Sequence, residues 1–200
     1  MKIGIIGAGN VGSALAQKWV RKGHRVRLAG ADHDKTAAAA TKVGAAAATA
    51  REAATDADVI VFAVPFANLL DAAAEAGDLT GKVVIDATNV IGEDAHDGES
   101  AALVLQEAAP GAHVVKAFNT AFAQIHPETD GKTEKPSQVL VGDDPDAKET
   151  VKVLIEEAGF EPFDAGGLDL APDLEGFGRV NIALAYGPGK RGPFFYYFRR

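Results

Sequence analysis

An α/β fold with a doubly wound, mainly parallel sheet is predicted by three observations. Apolar strand-like runs alternate with helical patterns along the chain, the arrangement that feeds a parallel sheet covered by helices on both faces. One run, residues 58–64 (DVIVFAV), is apolar at successive positions, as a strand buried on both faces must be. The chain also opens with MKIGIIGAGNVGSA, where an apolar run meets Gly7-Ala8-Gly9-Asn10-Val11-Gly12 and then a helical pattern carrying Leu15, Ala16, Trp19 and Val20.

That opening is strand, glycine turn, helix, in the order of a dinucleotide-binding unit. Gly7 permits the tight turn, Gly9 lets a diphosphate approach the backbone, and Gly12 lets the helix pack closely on the strand. Ala8, Asn10 and Val11 complete the loop, and the helix N-terminus offers free N–H groups and a partial positive charge.

The remaining elements follow in order. A second strand spans 24–29 after Gly23 ends the first helix. A short helix over 34–43 and a small strand over 45–48 come next. Thr49-Ala50-Arg51-Glu52 has the side chains of a capping box and opens a helical turn. Pro65 ends the 58–64 strand, and a helix runs over 66–76. Residues 82–86 (KVVID) form a strand, 100–108 a helix closed by Pro110-Gly111, and 113–117 a strand. Residues 124–136, polar and holding two prolines, read as a loop. Strand 137–141 precedes Asp144-Pro145, a cap with proline at the first helical position. That helix continues to Ala158 and stops at Gly159. A short strand covers 160–164. A last helix spans 173–187, with Leu174, Val180, Ile182, Leu184 and Ala185 facing inward. The expected whole is a single Rossmann-type domain over 1–200. Its core is 1–165, and 166–200 is a small helical, aromatic appendage for substrate or dimer contact.

Hydrophobic residues make up 47% of the 200, enough for a full core. The absence of cysteine excludes disulfides, thiolate nucleophiles and sulfur-ligated metals. No apolar run of about 18 residues exists to span a membrane. Residues 1–14 read as strand and turn, not a signal peptide, so a cytoplasmic location is expected. The net charge of −8 argues against nucleic acid. That charge is uneven: residues 1–175 carry 15 Lys/Arg against 28 Asp/Glu, whereas 176–200 carry five basic residues and no acid. The same 25 residues hold seven of the fourteen aromatics. They read either as a core-capping or dimer-contact segment, or as a wall for a planar anionic ligand.

The ligand crevice of such a sheet lies at the carboxyl ends of its strands, here 7–12, 30–35, 64–68, 87–90 and 118–122. At the end of the second strand an NAD site places a carboxylate for the ribose 2′-OH. Gly30 and Ala31 stand there instead, with His33 and Lys35 close by, and this favours NADP over NAD. Ala63, Val64 and Pro65 are expected against the nucleotide, with Asn68 pointing an amide toward it and Asn89 serving the nicotinamide ribose. Asp86 reads as a loop cap. Asn119, Thr120, Ala121 and Phe122 are expected to line the hydride-transfer pocket. His126 reads as a solvated loop histidine, and His24, His96 and His113 as structural or exposed. No residues have catalytic-triad or metal-ligand spacing, so neither a catalytic side chain nor a metal is assigned. Hydride transfer tolerates this, because the cofactor carries the chemistry and the protein positions it. Reduction of a carbonyl needs a proton donor; its absence points to an acceptor such as a flavin-like ring.

The chain resembles the NADPH-dependent F420 reductases, the coenzyme F420-dependent NADP oxidoreductases, over nearly its whole length. The carriers are KIGIIGAGNVGSALA, DVIVFAVPFANL, GKVVIDATNV, GES at 98–100, PGAHVVKAFNT, VGDDPDAKETVKVLIEEAGFEPFDAGGL, and the closing LAY with its basic, aromatic tail. The resemblance implies that Ala8, Gly9, Asn10 and Val11 hold the pyrophosphate and that Val64, Pro65 and Asn68 flank the nucleotide. It also implies that coenzyme F420 stacks on the nicotinamide beside 119–122 and exchanges a hydride with it directly. The family commonly has Ser-Arg or Thr-Arg, gripping the 2′-phosphate, where this chain has Gly30 and Ala31; only Lys35 matches a remaining cation.

Three functions compete at this stage. The first is hydride transfer between NADP(H) and F420. The second is an NAD(P)H-dependent reductase of a flavin, a quinone or a ferric chelate. The third is an NADP(H)-binding regulatory protein without turnover, which has no need of a second planar site. The β-hydroxyacid dehydrogenases and pyrroline-carboxylate reductases, which share the opening, carry a large helical substrate domain, whereas about 35 residues follow the last strand here. A small-molecule redox substrate and a homodimer closed partly by 176–200 are the expected partners, with no nucleic acid and no membrane.

Overall fold

The computed structural model describes residues 1–91, 100–131 and 133–199. His96, and Gly98 and Glu99 of the GES stretch, lie outside the described residues. The strands are β1 (Lys2–Ile6), β2 (Arg25–Ala29), β3 (Ala46–Ala47), β4 (Val59–Phe62), β5 (Val83–Asp86), β6 (His113–Ala117), β7 (Ser137–Gly142) and β8 (Glu161–Asp164). The helices are α1 (Asn10–Arg21), α2 (His33–Val43), α3 (Ala50–Thr55), α4 (Leu69–Ala76), α5 (Ala101–Ala108), α6 (Pro145–Glu157) and α7 (Ala171–Tyr186).

The strands form one sheet in the order β3-β2-β1-β4-β5-β6-β7-β8. It is parallel from β3 to β6, as the buried apolar runs require. β7 then pairs antiparallel with β6, and β8 runs parallel to β7. The α/β, doubly wound, mainly parallel class therefore holds, with a reversed β7-α6-β8 unit at one edge. The reversal was not read in advance. Its physical origin is the connection after Ala117, which contains a 3₁₀ turn (Ala123–Thr129) and, among the described residues, no α-helical crossover to carry the chain back.

Two cores lie on opposite faces. Alternate residues of β1, β2, β4 and β6 (Ile3, Ile5, Leu28, Val61, Val115) pack under α1, α2 and α6, with Trp19, Leu154 and Ile155 fully buried. The other face (Ile6, Ile60, Phe62, Val84, Val114) is covered by α3, α4, α5 and α7. The helix starts follow from local chemistry. Thr49 and Glu52 form the complete capping box of α3. Asp144 accepts from Ala147 N with Pro145 at the first turn of α6, and Ser100 caps α5.

Two expectations are corrected. The 124–136 loop contains the 3₁₀ turn, and His126 within it is 1% exposed rather than solvated. The turn is clamped between helices: Thr129 Oγ1 accepts from Lys18 Nζ of α1 at 2.8 Å and lies 2.9 Å from the Ala158 carbonyl after α6. In α7, Val180 and Leu184 are 54% and 49% exposed rather than inward. The buried stripe is Ala171, Leu174, Gly178, Asn181 and Ala185, whose helical spacing turns 180 and 184 to the far side. Smaller shifts are of one or two residues, and the 66–76 helix is divided into a 3₁₀ turn (Phe66–Asn68) and α4.

Candidate functional site

Both β2 and β4 flank β1, so the strand order reverses there and a crevice opens at its carboxyl end. Gly7 turns the chain out of β1 with φ +121°, and a Cβ on it would overlap the backbone carbonyl of Ala63. A Cβ on Gly12 would overlap the carbonyl of Gly7, so α1 sits directly on the turn. Gly9 differs, because nothing lies within 4 Å of where its Cβ would be. Its lack of a side chain serves open space, not packing. The first helical bond of α1 runs from Ser13 N to Gly9 O at 3.0 Å. The amides of Asn10, Val11 and Gly12 therefore have no helical acceptor. Gly9 supplies no side-chain cap, and the first turn holds no acid. The result is an uncapped, anion-attracting helix end beside an open cradle, which fits a diphosphate.

Two cavities flank this helix end. The first, about 400 Å³, is lined by Gly7, Ala8, Gly9, Gly30, Ala31, Ala63, Val64, Pro65 and Asn68, together with Ala50, Asp71, Ala72 and Glu75. The second, about 280 Å³, is lined by Asn10, Val11, Asn89, Asn119, Thr120, Ala121 and Phe122, with Gly178, Asn181, Ile182 and Tyr186 from α7 and its end. A further cavity of about 430 Å³, at the amino ends of β1 and β2 beside Lys2 and Arg25, lies away from these strand ends. Three residues singled out from the sequence line neither crevice cavity: Gly12, His33 and Lys35.

At the end of β2 the surroundings are small and acidic. Asp32 caps α2 by accepting from Lys35 N at 3.0 Å, and its other oxygen lies 2.9 Å from Lys35 Nζ. The backbone and side-chain bonds from Lys35 hold the Asp32 carboxyl below its usual pKa. His33 is exposed, 3.6 Å from Asp34.

The second cavity is braced from behind. Asn89 donates to the Asn119 carbonyl at 2.7 Å, and Asn119 Nδ2 donates to Asn89 Oδ1 at 3.0 Å and to the Leu174 carbonyl at 3.1 Å. Asn119 is 6% exposed, and its Oδ1 has no hydrogen-bond partner among the described residues. This buried acceptor on the cavity wall suits a ligand N–H or O–H, such as a carboxamide or ribose group. A Cβ on Gly178 would stand 2.7 Å from Asn89 Oδ1, so α7 reaches the asparagine pair through a glycine. Phe118 adopts φ +65°, an unusual backbone for a fully buried aromatic, and redirects 119–122 away from the strand line.

Behind the asparagines lies a fully buried ionic network. Lys116 Nζ donates to Asp86 Oδ2 at 2.6 Å, to the Thr88 carbonyl at 2.7 Å and to Glu175 Oε1 at 2.9 Å. Glu175 also accepts from Val90 N, Ser100 Oγ and Ala101 N, at 2.7 to 2.9 Å. Asp86 caps its loop by accepting from Thr88 N. The network ties α7 to the residues beside Asn89 and to the start of α5. It was not foreseen. The available signal was a lysine inside an apolar strand (HVVKA) and a glutamate on the buried stripe of α7, neither of which has a reason to be there without a partner.

The tail closes the far wall. Phe122 meets Tyr186 and Phe194 edge-on, with centroids 5.8 and 5.5 Å apart. The Tyr196 hydroxyl lies 2.6 Å from Thr120 Oγ1, and burial pushes its pKa up to about 12. Ser137 N donates to the Tyr196 carbonyl, and Phe198 N to Ser137 Oγ, which straps the tail along β7. Below this wall, burial and then the Lys18 charge lower the His126 pKa to about 4, and neither ring nitrogen has a hydrogen-bond partner among the described residues. Among the described residues no cluster of His, Asp and Glu is arranged to hold a metal ion, and no helix is long and apolar enough to cross a membrane.

A family model described as NADP oxidoreductase, coenzyme F420-dependent, matches residues 2–90. The metalloreductase STEAP3 of Rattus norvegicus is 31% identical over 179 residues, 87% of this chain, which spans 36% of that protein's length. A solved structure from Arthrobacter sp. FB24, provisionally designated an F420-dependent NADP-reductase, superposes with a TM-score of 0.87 at 26% identity over the whole of both chains. The hypothetical protein SMa0349 of Sinorhizobium meliloti superposes with a TM-score of 0.77 at 32% identity, over 86% of this chain and 88% of its own.

Proposed function

We propose, from the premise that this chain belongs to the family of coenzyme F420-dependent NADP oxidoreductases, that it transfers a hydride between NADP(H) and a deazaflavin of the F420 type. The observation that carries this reading is the open cradle at Gly9, set between a nucleotide-sized cavity and an aromatic-walled one. When bound, the nicotinamide coenzyme supplies or takes the hydride. The chain's residues bind and orient. Amides of Asn10, Val11 and Gly12 hold the diphosphate; Ala63, Val64, Pro65 and Asn68 flank the nucleotide; Asn89 and Asn119 hold the nicotinamide end. Thr120, Ala121 and Phe122 form the floor on which the acceptor ring lies, with Tyr186 and Phe194 excluding water. Such orientation is worth an effective molarity of about 10⁵ M or more.

A second copy of the chain is proposed against the outer face of α7, where Val180 and Leu184 are half exposed. Light scattering reads a dimer under this proposal, and a monomer unchanged by deletion of 188–200 would remove it. A second reading draws on the metalloreductase relative, with a ferric chelate or flavin as acceptor at the same wall. One assay separates the two: purified protein is mixed with NADPH and F420 and the deazaflavin absorbance followed, with riboflavin, a quinone and ferric chelate in parallel. Deazaflavin reduction fastest of the four supports the first reading. Faster reduction of ferric chelate or flavin supports the second, and turnover of none sinks both.

A further inference from the structure

We infer that this chain gains no grip on the 2′-phosphate of NADP(H), so that NADH and NADPH bind its crevice with closely similar affinity. The inference rests on the reading of the crevice as a nicotinamide-dinucleotide site, and it departs from the coenzyme in the family's name.

Three observations carry it. First, Gly30 and Ala31 occupy the end of β2, where the adenosine ribose of a dinucleotide is read, and neither offers a polar side chain. Gly30 is small for a packing reason. A Cβ there would stand 2.7 Å from Thr36 Oγ1 and 3.1 Å from Ala8 Cβ. Thr36 is itself buried, its hydroxyl donating to the Asp32 carbonyl at 2.7 Å. A serine at position 30 would have to displace that threonine.

Second, the nearest lysine is already paired. Asp32 holds Lys35 by both its amide and its ammonium. A 2′-phosphate approaching Lys35 therefore approaches the Asp32 carboxylate as well. The pair is exposed and worth little, but the Asp32 carboxylate stays beside Lys35 and offsets the attraction its ammonium exerts on a phosphate.

Third, the cavity wall opposite is acidic. Asp71 and Glu75 stand one turn apart on α4 and line the same cavity as Gly30 and Ala31. No lysine or arginine is among the described residues that line it. A phosphate monoester adds a charge of about −1.5 to −2, which these carboxylates repel. A ribose 2′-hydroxyl is uncharged, and the carboxylates of Asp71 and Glu75 do not repel it.

The test is calorimetric titration of the full chain with NADPH, NADH, 2′,5′-ADP and 5′-ADP at low and high salt. The expected dissociation constants for the two dinucleotides agree within about threefold, and their ratio is flat with salt. Ala31→Arg, which restores a guanidinium at the ribose, is expected to shift the ratio toward NADPH by about tenfold. Wild-type protein that binds NADPH at least about tenfold more tightly than NADH, with an advantage that shrinks as salt rises, overturns the inference and leaves the dinucleotide site standing. Binding of neither dinucleotide removes the site and the inference together.

Discussion

The crevice joins two halves built from opposite materials. The side under β2 and β4 is backbone, glycine and alanine, and holds its shape through carbonyls that touch missing side chains, as at Gly7 and Gly12. The side beside β5, β6 and α7 is held by Lys116, Asp86 and Glu175, all with 0% side-chain exposure, and by the Asn89–Asn119 pair in front of them. Under the proposed function both hold a ligand rigidly, but they face different tasks. Under the proposed function a diphosphate and adenosine are gripped through amides and flat contacts, which any close-packed backbone can present. The acceptor side has to keep a long connection and the helix after the last strand in register with each other, and a buried ion pair with defined partners specifies one such arrangement. The cost is that this half depends on every member of its network being present.

Breaking that network gives the largest expected effect. Lys116→Met strands two carboxylates in the interior, and denaturant unfolding is expected to show a loss of about 3–5 kcal/mol. Replacing all three charges, with Asp86→Asn and Glu175→Gln added, is expected to restore much of it. A Lys116→Met loss below about 1 kcal/mol would mean that the acceptor side is not braced by charge.

The acid-sensitive element lies in the turn clamped between α1 and α6. His126 is neutral in the folded chain down to about pH 4, whereas the unfolded chain takes up its proton near the ordinary 6.5. Stability is therefore intact above pH 6.5 and falls as pH drops from 6.5 toward 4, by about 1.4 kcal/mol per pH unit. The difference in unfolding free energy between wild type and His126→Leu across that window should carry this slope. A constant difference would show that His126 titrates normally.

Binding separates the halves directly. Gly9→Val fills the cradle and is expected to cost both 5′-ADP and the dinucleotides about tenfold to a hundredfold in affinity, with little change in unfolding midpoint. Asn119→Ala is expected to cost the dinucleotides about 1–3 kcal/mol and to leave 5′-ADP unchanged, because under the proposed function only the nicotinamide end meets it. Equal losses with both ligands in the Asn119 variant would erase the division. The smallest effect belongs to Lys35→Ala, exposed and paired with Asp32, which should change NADPH affinity by about threefold or less.

What could be read from residues alone follows the same division. The first half is written in contiguous sequence, so its glycines could be assigned roles one by one. A Cβ at each of Gly7 and Gly12 would overlap a carbonyl, while Gly9 faces open space. The second half is assembled from positions 86, 116 and 175, far apart in the chain. Its existence depends on β5 and β6 lying side by side under α7. His126 was misjudged for the same reason, since a polar, proline-containing segment looks solvated until α1 and α6 are seen to close over it.

The amino-acid order by itself determined the alternation of elements, the open glycine turn before α1 and the small residues at the end of β2, because each depends on local backbone geometry and on neighbours within a few positions. Only the tertiary structure decided the reversed edge of the sheet, the buried charges behind Asn119, the pairing of Lys35 with Asp32 and the placing of the α4 acids beside the end of β2. Those features arise from contacts between distant or rotamer-dependent side chains, where burial and charge become defined once the chain has folded around them.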